Sequence, residues 1–297
     1  MRRSRRIVIG LVAIVTVAIA VALTAGWSSA RAERNATAIA VIGGSQVDYL
    51  LGPSDFDALG SPIGRDFGVT PSGAIVFRAG EALHVIDNAR PGSRPITIAG
   101  TLPDSFSLDA RGTMLTVAGG YFGMLNESGE IVPAIPVSYR DAQLAPSVHD
   151  GATYLFGGGA KNYRLYRVID DGTLQVVLES AAPIIAAADN EKAIFAATAS
   201  AILRITAGTP VVLFRTPPDG FNGPIRSMAV TADGIVIFST DTKVYALLGP
   251  NALSIINDAG GTLRLRDGVL YVLDPARRLL FTLRPASAQL FTGREGV

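Results

Sequence analysis

A repeat with a period of about 39 residues runs through most of the chain and constrains its fold more than any other feature. Each copy is a turn, usually with a glycine after a small polar or acidic residue, that opens a run of β-branched and aromatic residues. Successive copies are separated by 39, 39, 40, 43 and 34 residues. A fixed period of this length indicates repeated units that bury their apolar surfaces against one another. The aligned turn positions are Gly73, Gly112, Gly151, Glu191, Gly234 and Gly268.

Each unit contains four short apolar runs, joined by turns rich in Gly, Pro, Asp and Asn. Such runs predict antiparallel strands in a meander. A lone meander leaves two faces and two edges uncovered, whereas a closed ring of meanders covers them. We therefore predict an all-β domain over 38–297, a six-bladed β-propeller with seven blades as the alternative, rather than an open solenoid. The strands at 39–43 and 47–51 are expected to complete the last blade.

The segment IRSMAVTADGIVIFSTDTKVYAL at 225–247 resembles the blade of NHL-repeat and SMP-30/gluconolactonase-type propellers. The stretch ITIAGTLPDSF at 96–106 resembles the connection between NHL blades, and the likeness extends as a pattern over most of 66–284. Neither the Trp-Asp dipeptide that marks WD40 blades nor the double glycine that marks kelch blades recurs at a fixed position of the repeat. The gluconolactonase resemblance implies a metal held by Glu, Asn and Asp. Only Asn222 is placed like one of these residues, so no metal ligand is assigned.

Residues 7–26 form an apolar run without a charged side chain. As a helix, this run would be about 30 Å long, which matches the hydrocarbon core of a bilayer. Four arginines within 1–6 precede the run, so the positive-inside rule places the N-terminus in the cytoplasm and the domain across the membrane. We therefore predict a cytoplasmic segment at 1–6, a transmembrane signal-anchor helix at 7–26, a linker at 27–37 and an extracytoplasmic domain.

Two alternatives for this N-terminal segment also export the domain. The sequence Ala30-Arg31-Ala32 fits a signal-peptidase site, and cleavage after Ala32 would release a secreted domain. Ser4-Arg5-Arg6 before an apolar run also resembles a twin-arginine export signal.

Charge and composition exclude several classes of function. Five of the 26 basic residues stand in the first 32 positions, so 33–297 carries 21 basic and 25 acidic side chains. A domain of this sign lacks the cationic surface that nucleic acid requires, so no nucleic-acid partner is expected. The chain contains no cysteine, which excludes disulfides and thiolate ligands. The two histidines, His84 and His149, are not spaced as a metal pair and are interpreted as structural.

Acidic residues recur at the turns, once in nearly every repeat. A ring of carboxylates could bind calcium, but an Asp beside a turn glycine also bonds the backbone amides of its own turn. Repetition in nearly every unit favours the structural interpretation. The glycine-rich stretch at 157–163 lacks the spacing of a phosphate-binding loop and is interpreted as a connection between strands. The acidic turn residues are Asp109, Asp150, Asp189, Asp233 and Asp267.

The candidate site lies in loops that differ from blade to blade. In propellers, the loops that enter the innermost strands and those that join the second and third strands emerge on one face, around the central tunnel. Loops on a rigid scaffold often carry function, and aromatic residues with Arg and Asp suit a polar ligand or a peptide. The candidate binding residues are Asp104, Tyr121, Tyr139, Arg140, Asp141, Lys161, Tyr163, Phe221, Asn222 and Arg226.

These patterns predict a membrane-anchored extracytoplasmic propeller that binds a polar small ligand or an envelope protein. No catalytic residue, metal ligand or cofactor is assigned, because no convergent set of titratable residues is visible in the sequence. The alternative is a metal-dependent lactonase-like hydrolase or lyase, with a divalent metal in the tunnel acting as a Lewis acid.

Overall fold

A computed structural model gives the architecture of the domain. It describes residues 38–41, 46–87, 90–96, 102–137, 143–145, 152–159, 162–169, 173–190, 192–216, 223–249 and 252–284. These residues form 25 β-strands in six antiparallel sheets and one short helix. The all-β prediction and the six-blade prediction are confirmed.

The first three sheets each contain four strands, in chain order from the innermost to the outermost. Blade 1 consists of β3 (Ile63–Val69), β4 (Ile75–Ala79), β5 (Ala82–Asp87) and β6 (Arg90–Ile96). Blade 2 consists of β7 (Ser105–Leu108), β8 (Met114–Ala118), β9 (Tyr121–Leu125) and β10 (Ile131–Pro136). Blade 3 consists of β11 (Gln143–Ala145), β12 (Tyr154–Gly159), β13 (Asn162–Val168) and β14 (Leu174–Ser180).

The last two blades each take a strand from the start of the chain. Blade 4 consists of β15 (Ile184–Asn190), β16 (Ala193–Thr198), β17 (Ala201–Thr206) and β18 (Thr209–Arg215). Blade 5 consists of β19 (Ser227–Val230), β20 (Val236–Ser239), β21 (Val244–Gly249), β22 (Ala252–Asn257) and the added β1 (Ala38–Val41). Blade 6 consists of β23 (Thr262–Arg266), β24 (Val269–Asp274), β25 (Leu279–Arg284) and the added β2 (Gln46–Leu51), and helix α1 (Pro53–Ala58) follows β2.

The innermost strands close a ring. Strand β3 contacts β7, β7 contacts β11, β11 contacts β15, β15 contacts β19, β19 contacts β23, and β23 contacts β3 again. Six sheets that meet in this order surround a central tunnel, as in a β-propeller. An open solenoid would leave its first and last units apart, so contact between β23 and β3 excludes that alternative.

The two N-terminal strands follow the prediction only in part. Strand β2 pairs with β25 from Gln46↔Arg284 to Leu51↔Leu280 and completes blade 6, as expected for 47–51. Strand β1, expected in the same blade, instead lies beside β22 as the fifth strand of blade 5. Strand β2 occupies the free edge of the three-stranded blade 6, and β1 extends the already four-stranded blade 5.

The hydrophobic core is divided into six clusters in the described residues, each shared by two neighbouring blades. Blades 1 and 2 share the cluster of Leu83 and Phe106, for example, and blades 5 and 6 share that of Ile237 and Leu263. The cluster of Phe67 and Leu280 joins blade 6 to blade 1 and also buries Phe56 of α1. Because no blade has a core of its own, the repeats stabilise one another only as a ring.

The aligned turns join each innermost strand to its second strand. Four of the six aligned positions are described; all four are glycines, and each has a positive φ, from 70° to 92°. This left-handed conformation favours glycine, which explains why the residue recurs. Gly151 and Glu191, the two other aligned positions, lie outside the described residues. The four are Gly73, Gly112, Gly234 and Gly268.

Side chains three residues before three of these glycines, Gly73, Gly112 and Gly234, cap the turns. Asp109 Oδ1 accepts hydrogen bonds from the backbone N–H groups of Arg111 and Thr113, both at 2.8 Å. In blade 1, the hydroxyl of Thr70 accepts a hydrogen bond from the backbone N–H of Ala74 at 3.0 Å. In blade 5, the hydroxyl of Thr231 accepts one from the backbone N–H of Ile235 at 2.9 Å. The structural interpretation of the acidic turns is therefore confirmed for Asp109.

Asp189 does not cap its own turn, although the sequence pattern predicted that it would. It lies fully buried in β15, where the Tyr154 hydroxyl donates to its Oδ2 at 3.5 Å. The turn of blade 4 is capped instead by Asn190, whose Oδ1 accepts from the backbone N–H groups of Lys192 and Ala193. Adjacent residues of a strand point to opposite faces. Asp189, one residue before the capping Asn190, therefore points into the interface between blades 3 and 4.

The predicted segments 1–6, 7–26 and 27–37 lie outside the described residues. In the part of the chain that the structure describes, no helix is long and apolar enough to cross a membrane.

Candidate functional site

A cavity of about 520 Å³ lies where the innermost strands begin, at one mouth of the tunnel. Blades 1, 3, 4, 5 and 6 all contribute to its wall. We call it the tunnel-mouth cavity. Its lining residues are Arg65, Asp66, Phe156, Gly157, Gly158, Gly159, Tyr163, Pro183, Ile184, Ile185, Ala186, Ile225, Arg226, Ser227, Met228, Thr262 and Arg264.

An irregularity in β3 brings two consecutive charged residues to this cavity. The register of β3 with β4 is broken between Ile63 and Phe67, so that Gly64, Arg65 and Asp66 lie opposite Arg78 alone. In a regular strand, consecutive side chains point to opposite faces. The extra residues of a bulge change the direction of side chains, which allows both Arg65 and Asp66 to line the cavity.

Asp66 is a largely buried carboxylate. Burial raises its pKa, and the positive charges of Arg264 and Arg78 and a hydrogen bond from the backbone of Phe106 act in the opposite direction. The ion pairs of the described residues do not include one between Asp66 and an arginine. Arg264 and Arg78 therefore interact electrostatically with the Asp66 carboxylate, although neither forms an ion pair with it.

Arg264 reaches the cavity from β23 and also fastens blade 6 to blade 1. Its Nε donates to the backbone oxygen of Phe67 at 2.9 Å, its Nη1 donates to that of Leu263 at 2.8 Å, and its guanidinium lies 5.2 Å from the centre of the Phe67 ring. Burial lowers the pKa of Arg264 to about 10, and Asp66 acts in the opposite direction. The side chain is still cationic at neutral pH, and among the described residues its Nη2 has no hydrogen-bond acceptor.

Arg226 is bound to a carboxylate of its own blade. Its Nε and Nη2 donate to Asp241 Oδ1 and Oδ2 at 2.9 and 2.8 Å. This bidentate pair lowers the pKa of Asp241, and Arg65 adds a weaker effect in the same direction. Arg226 is therefore largely neutralised, and Arg65 and Arg264 are the cations that face the cavity without a carboxylate partner at hydrogen-bond distance.

The other side of the cavity is apolar and built partly from glycine. Phe156, Ile184, Ile225 and Met228 are buried and line it. Gly158 has a φ of 139°, and a Cβ on it would lie 2.4 Å from the backbone oxygen of Asn162, so no other residue fits there. The cavity therefore combines a cationic side with an apolar side, an arrangement typical of pockets for small organic ligands.

The described residues of this site do not fit a divalent metal ion. Among the described residues that line the cavity, Asp66 is the one carboxylate, and it stands among guanidinium groups. A divalent cation needs several oxygen or nitrogen ligands, and nearby arginines oppose it. Within the described ranges, no group of three or more His, Asp or Glu side chains is placed to hold a metal.

Two of the predicted binding residues line the cavity. Tyr163 and Arg226 do so, the first from β13 and the second from the loop before β19. Asp104 instead fastens its own blade, because the backbone N–H of Gly119 donates to its Oδ2 at 3.2 Å. Tyr121 is 48% exposed at the start of β9 and does not line the cavity.

The other six predicted residues lie outside the described residues, so their prediction is not tested. They are Tyr139, Arg140, Asp141, Lys161, Phe221 and Asn222.

Sequence reasoning missed three charged residues of the cavity: Arg65, Asp66 and Arg264. Each lies within a strand, whereas the prediction considered only loops. Two signals were available in the sequence. The charged pair Arg65-Asp66 follows Gly64 in an otherwise apolar strand, and Arg264 stands between Leu263 and Leu265 in an innermost strand.

Comparisons with known proteins support the architecture. No protein-family profile matches the chain, and no curated protein sequence matches it. A gluconolactonase from Xanthomonas campestris has a similar structure, with a TM-score of 0.61 and 13% identity over 82% of this chain and 91% of the other. The fold is that of the gluconolactonase-like six-bladed propellers.

Two further solved structures agree with this fold. A calcium-binding protein, regucalcin, from Agrobacterium tumefaciens has a TM-score of 0.60 at 12% identity, over 84% of this chain and 95% of the other. A luciferin-regenerating enzyme has a TM-score of 0.62 at 11% identity, over 82% of this chain and 96% of the other. The resemblance to propellers of the gluconolactonase type is confirmed, and at these identities it concerns the fold alone.

Proposed function

We propose that the domain binds a small organic anion in the tunnel-mouth cavity. The observation that supports this function is the convergence of Arg65 and Arg264, from blades 1 and 6, on a cavity whose described lining contains a single carboxylate, while Arg226 beside them is paired with Asp241. Guanidinium groups bind carboxylates and phosphates through charge-assisted hydrogen bonds. Side chains from separate blades meet only in the closed ring, so the site is a property of the whole propeller.

Different residues of the cavity would bind different parts of the ligand. Arg264 is held by the oxygens of Phe67 and Leu263, so it offers its remaining N–H groups to a ligand at little cost in conformational entropy. Arg65 supplies a second cation from the neighbouring blade. The buried Phe156 and Met228 offer an apolar surface to the body of the ligand. A carboxylate with an aromatic or aliphatic body matches both sides.

Substitution of Arg264 tests this proposal. Arg264→Gln removes the positive charge, and we expect it to weaken the binding of benzoate and of benzenesulfonate by about tenfold to a hundredfold, since hydrogen bonds to charged groups contribute about 1.5–3 kcal/mol. Isothermal titration of the full-length chain in detergent provides the measurement. Arg215→Gln is the matched control, because Arg215 is exposed on the outer strand β18. Equal affinities for all three proteins, or no binding by any, would contradict the proposal.

Hydrolysis of a lactone is a second candidate function. The similarity in structure to gluconolactonases favours it, although at 13% identity this similarity concerns the fold. Turnover of D-glucono-δ-lactone by the full-length chain, followed with and without EDTA and added Ca²⁺, tests it. Hydrolysis that EDTA abolishes would support the metal-dependent alternative, whereas binding of organic anions without turnover would support the first proposal.

We also propose that residues 7–26 anchor the propeller to a membrane and place it on the extracytoplasmic side. The apolar run and the arginines before it support this location. Alkaline carbonate extraction of membranes and protease treatment of intact cells test it. Retention in the membrane pellet together with cleavage of the propeller from outside is the expected result.

A further inference from the structure

Asp66 is the group in the tunnel-mouth cavity that anion binding does not explain. A carboxylate beside a bound anion repels it, yet Asp66 lines the same cavity as Arg65 and Arg264. It is not neutralised by a direct ion pair within the described residues. When an anion binds, the negative charge of Asp66 must therefore be compensated by a cationic group or removed by a proton.

The surroundings of Asp66 oppose a cationic partner. On its own strand the neighbouring residue is Arg65, strand β4 presents Arg78, and strand β23 presents Arg264. Strand β7 contributes a backbone hydrogen bond from Phe106. Arg78 is directed elsewhere, since its Nη1 donates to the backbone oxygen of Pro103 at 3.0 Å. A cationic ligand group would meet the positive charges of Arg65 and Arg264, whereas an anion meets only the one negative charge of Asp66 in the described lining.

A proton on Asp66 removes that remaining repulsion. When two acidic groups share one site, their mutual repulsion raises the pKa of one of them, which favours a proton on that group. Burial already raises the pKa of Asp66 in the ligand-free protein, and an adjacent anion raises it further. A protonated carboxylic acid also gains an O–H donor, which an anion accepts.

We propose that Asp66 binds the anion as a neutral carboxylic acid, whose O–H donates to the ligand while Arg65 and Arg264 supply the charge. This inference rests on the proposed anion site and specifies its recognition and its regulation. Each anion that binds takes up one proton on Asp66, so affinity falls as the pH rises. The site then selects groups with an acceptor oxygen, such as carboxylate, sulfonate or monoanionic phosphate.

The test measures proton uptake during titration of the full-length chain with benzenesulfonate. A sulfonate stays ionised across the whole range, so a proton taken up must bind to the protein. In a weakly buffered solution held at constant pH, we expect up to one proton per bound sulfonate. The dissociation constant of the wild type should rise by up to about tenfold per pH unit above the pKa of Asp66 in the free protein.

The variant Asp66→Asn removes the titrating group and keeps a hydrogen-bond donor. We expect it to bind benzenesulfonate without proton uptake and with an affinity that is constant between pH 5 and 8. Asp66→Ser is the second variant, for the case that the first does not fold. Proton uptake that is equal in the wild type and in the variants would overturn the inference.

The outcomes separate this inference from the proposed function. If the wild type binds benzenesulfonate without proton uptake, and Arg264→Gln still weakens binding, the anion site stands and the role of Asp66 is wrong. If no anion binds to the wild type, both are wrong. Uptake that disappears in Asp66→Asn, together with weakened binding in Arg264→Gln, supports both.

Discussion

The two ends of the innermost strands follow different rules. At the end where the strand enters its hairpin, the same device recurs from blade to blade: a glycine with positive φ and a capping side chain three residues before it, as in Thr70, Asp109 and Thr231. At the opposite end, the described residues differ from blade to blade, and arginine, glycine, isoleucine and aspartate meet in one cavity. In a ring of repeats, the repeated positions maintain the fold, and the positions that differ provide a site.

The largest expected effect concerns a glycine at the cavity end. Gly158→Ala would place a Cβ 2.4 Å from the backbone oxygen of Asn162, at a φ of 139° that only glycine adopts readily. We expect a loss of about 3 kcal/mol or more in the free energy of unfolding. Thermal and urea unfolding of the full-length chain provide the measurement.

Gly159→Ala is the matched control for this substitution. A Cβ on Gly159 meets no atom within 4 Å, so the variant should unfold within about 0.5 kcal/mol of the wild type. A stable Gly158→Ala variant would mean that the backbone of blade 3 adopts another conformation at the cavity.

A smaller effect is expected at the hairpin end. Asp109→Ala removes the acceptor of the backbone N–H groups of Arg111 and Thr113, and we expect a loss of about 1–2 kcal/mol in the free energy of unfolding. Asp109→Asn keeps an acceptor oxygen and should restore most of this loss. Neither variant should change the affinity for benzoate, and an altered affinity would contradict the division between the two ends.

The smallest effect has the opposite sign and concerns Asp66. Its pKa is raised above the unfolded value of 3.8, so the folded state binds the proton more tightly, and the ionised carboxylate lowers stability at pH 7. This loss disappears as the pH falls through the raised pKa toward 3.8. Asp66→Asn should therefore be as stable as the wild type or more stable at pH 7, and the difference should shrink toward pH 4.

Thermal unfolding of both proteins across this pH range checks the prediction. A difference that grows on acidification would show that the ionised carboxylate stabilises the fold instead.

The contrast between the two ends also explains how much of the structure the sequence predicts. The turn positions Gly73, Gly112, Gly234 and Gly268 are visible because each repeats a local requirement of the backbone. The last repeat supplies only three strands of a four-stranded blade, so the sequence predicts that the strand at 47–51 supplies the fourth and closes the ring. The position of β1 in blade 5 was missed, because short apolar strands carry no signal that specifies a partner edge.

The cavity could be predicted only in part for a different reason. Tyr163 and Arg226 lie beside loops that vary, which is why the sequence indicated them. Arg264 meets the backbone of Phe67 across 197 residues of chain, and Asp66 reaches the cavity through a bulge. Convergence of this kind depends on the register of two distant strands, which no local pattern contains.

A crystal structure of the full-length chain soaked with 4-bromobenzoate would test the central claim most directly. We expect an anomalous bromine signal in the tunnel-mouth cavity, with the carboxylate of the ligand within hydrogen-bond distance of Arg264 and its ring against Phe156. A bromine signal confined to the outer surfaces of the blades, or a cavity that stays free of ligand at saturating concentration, would contradict the account.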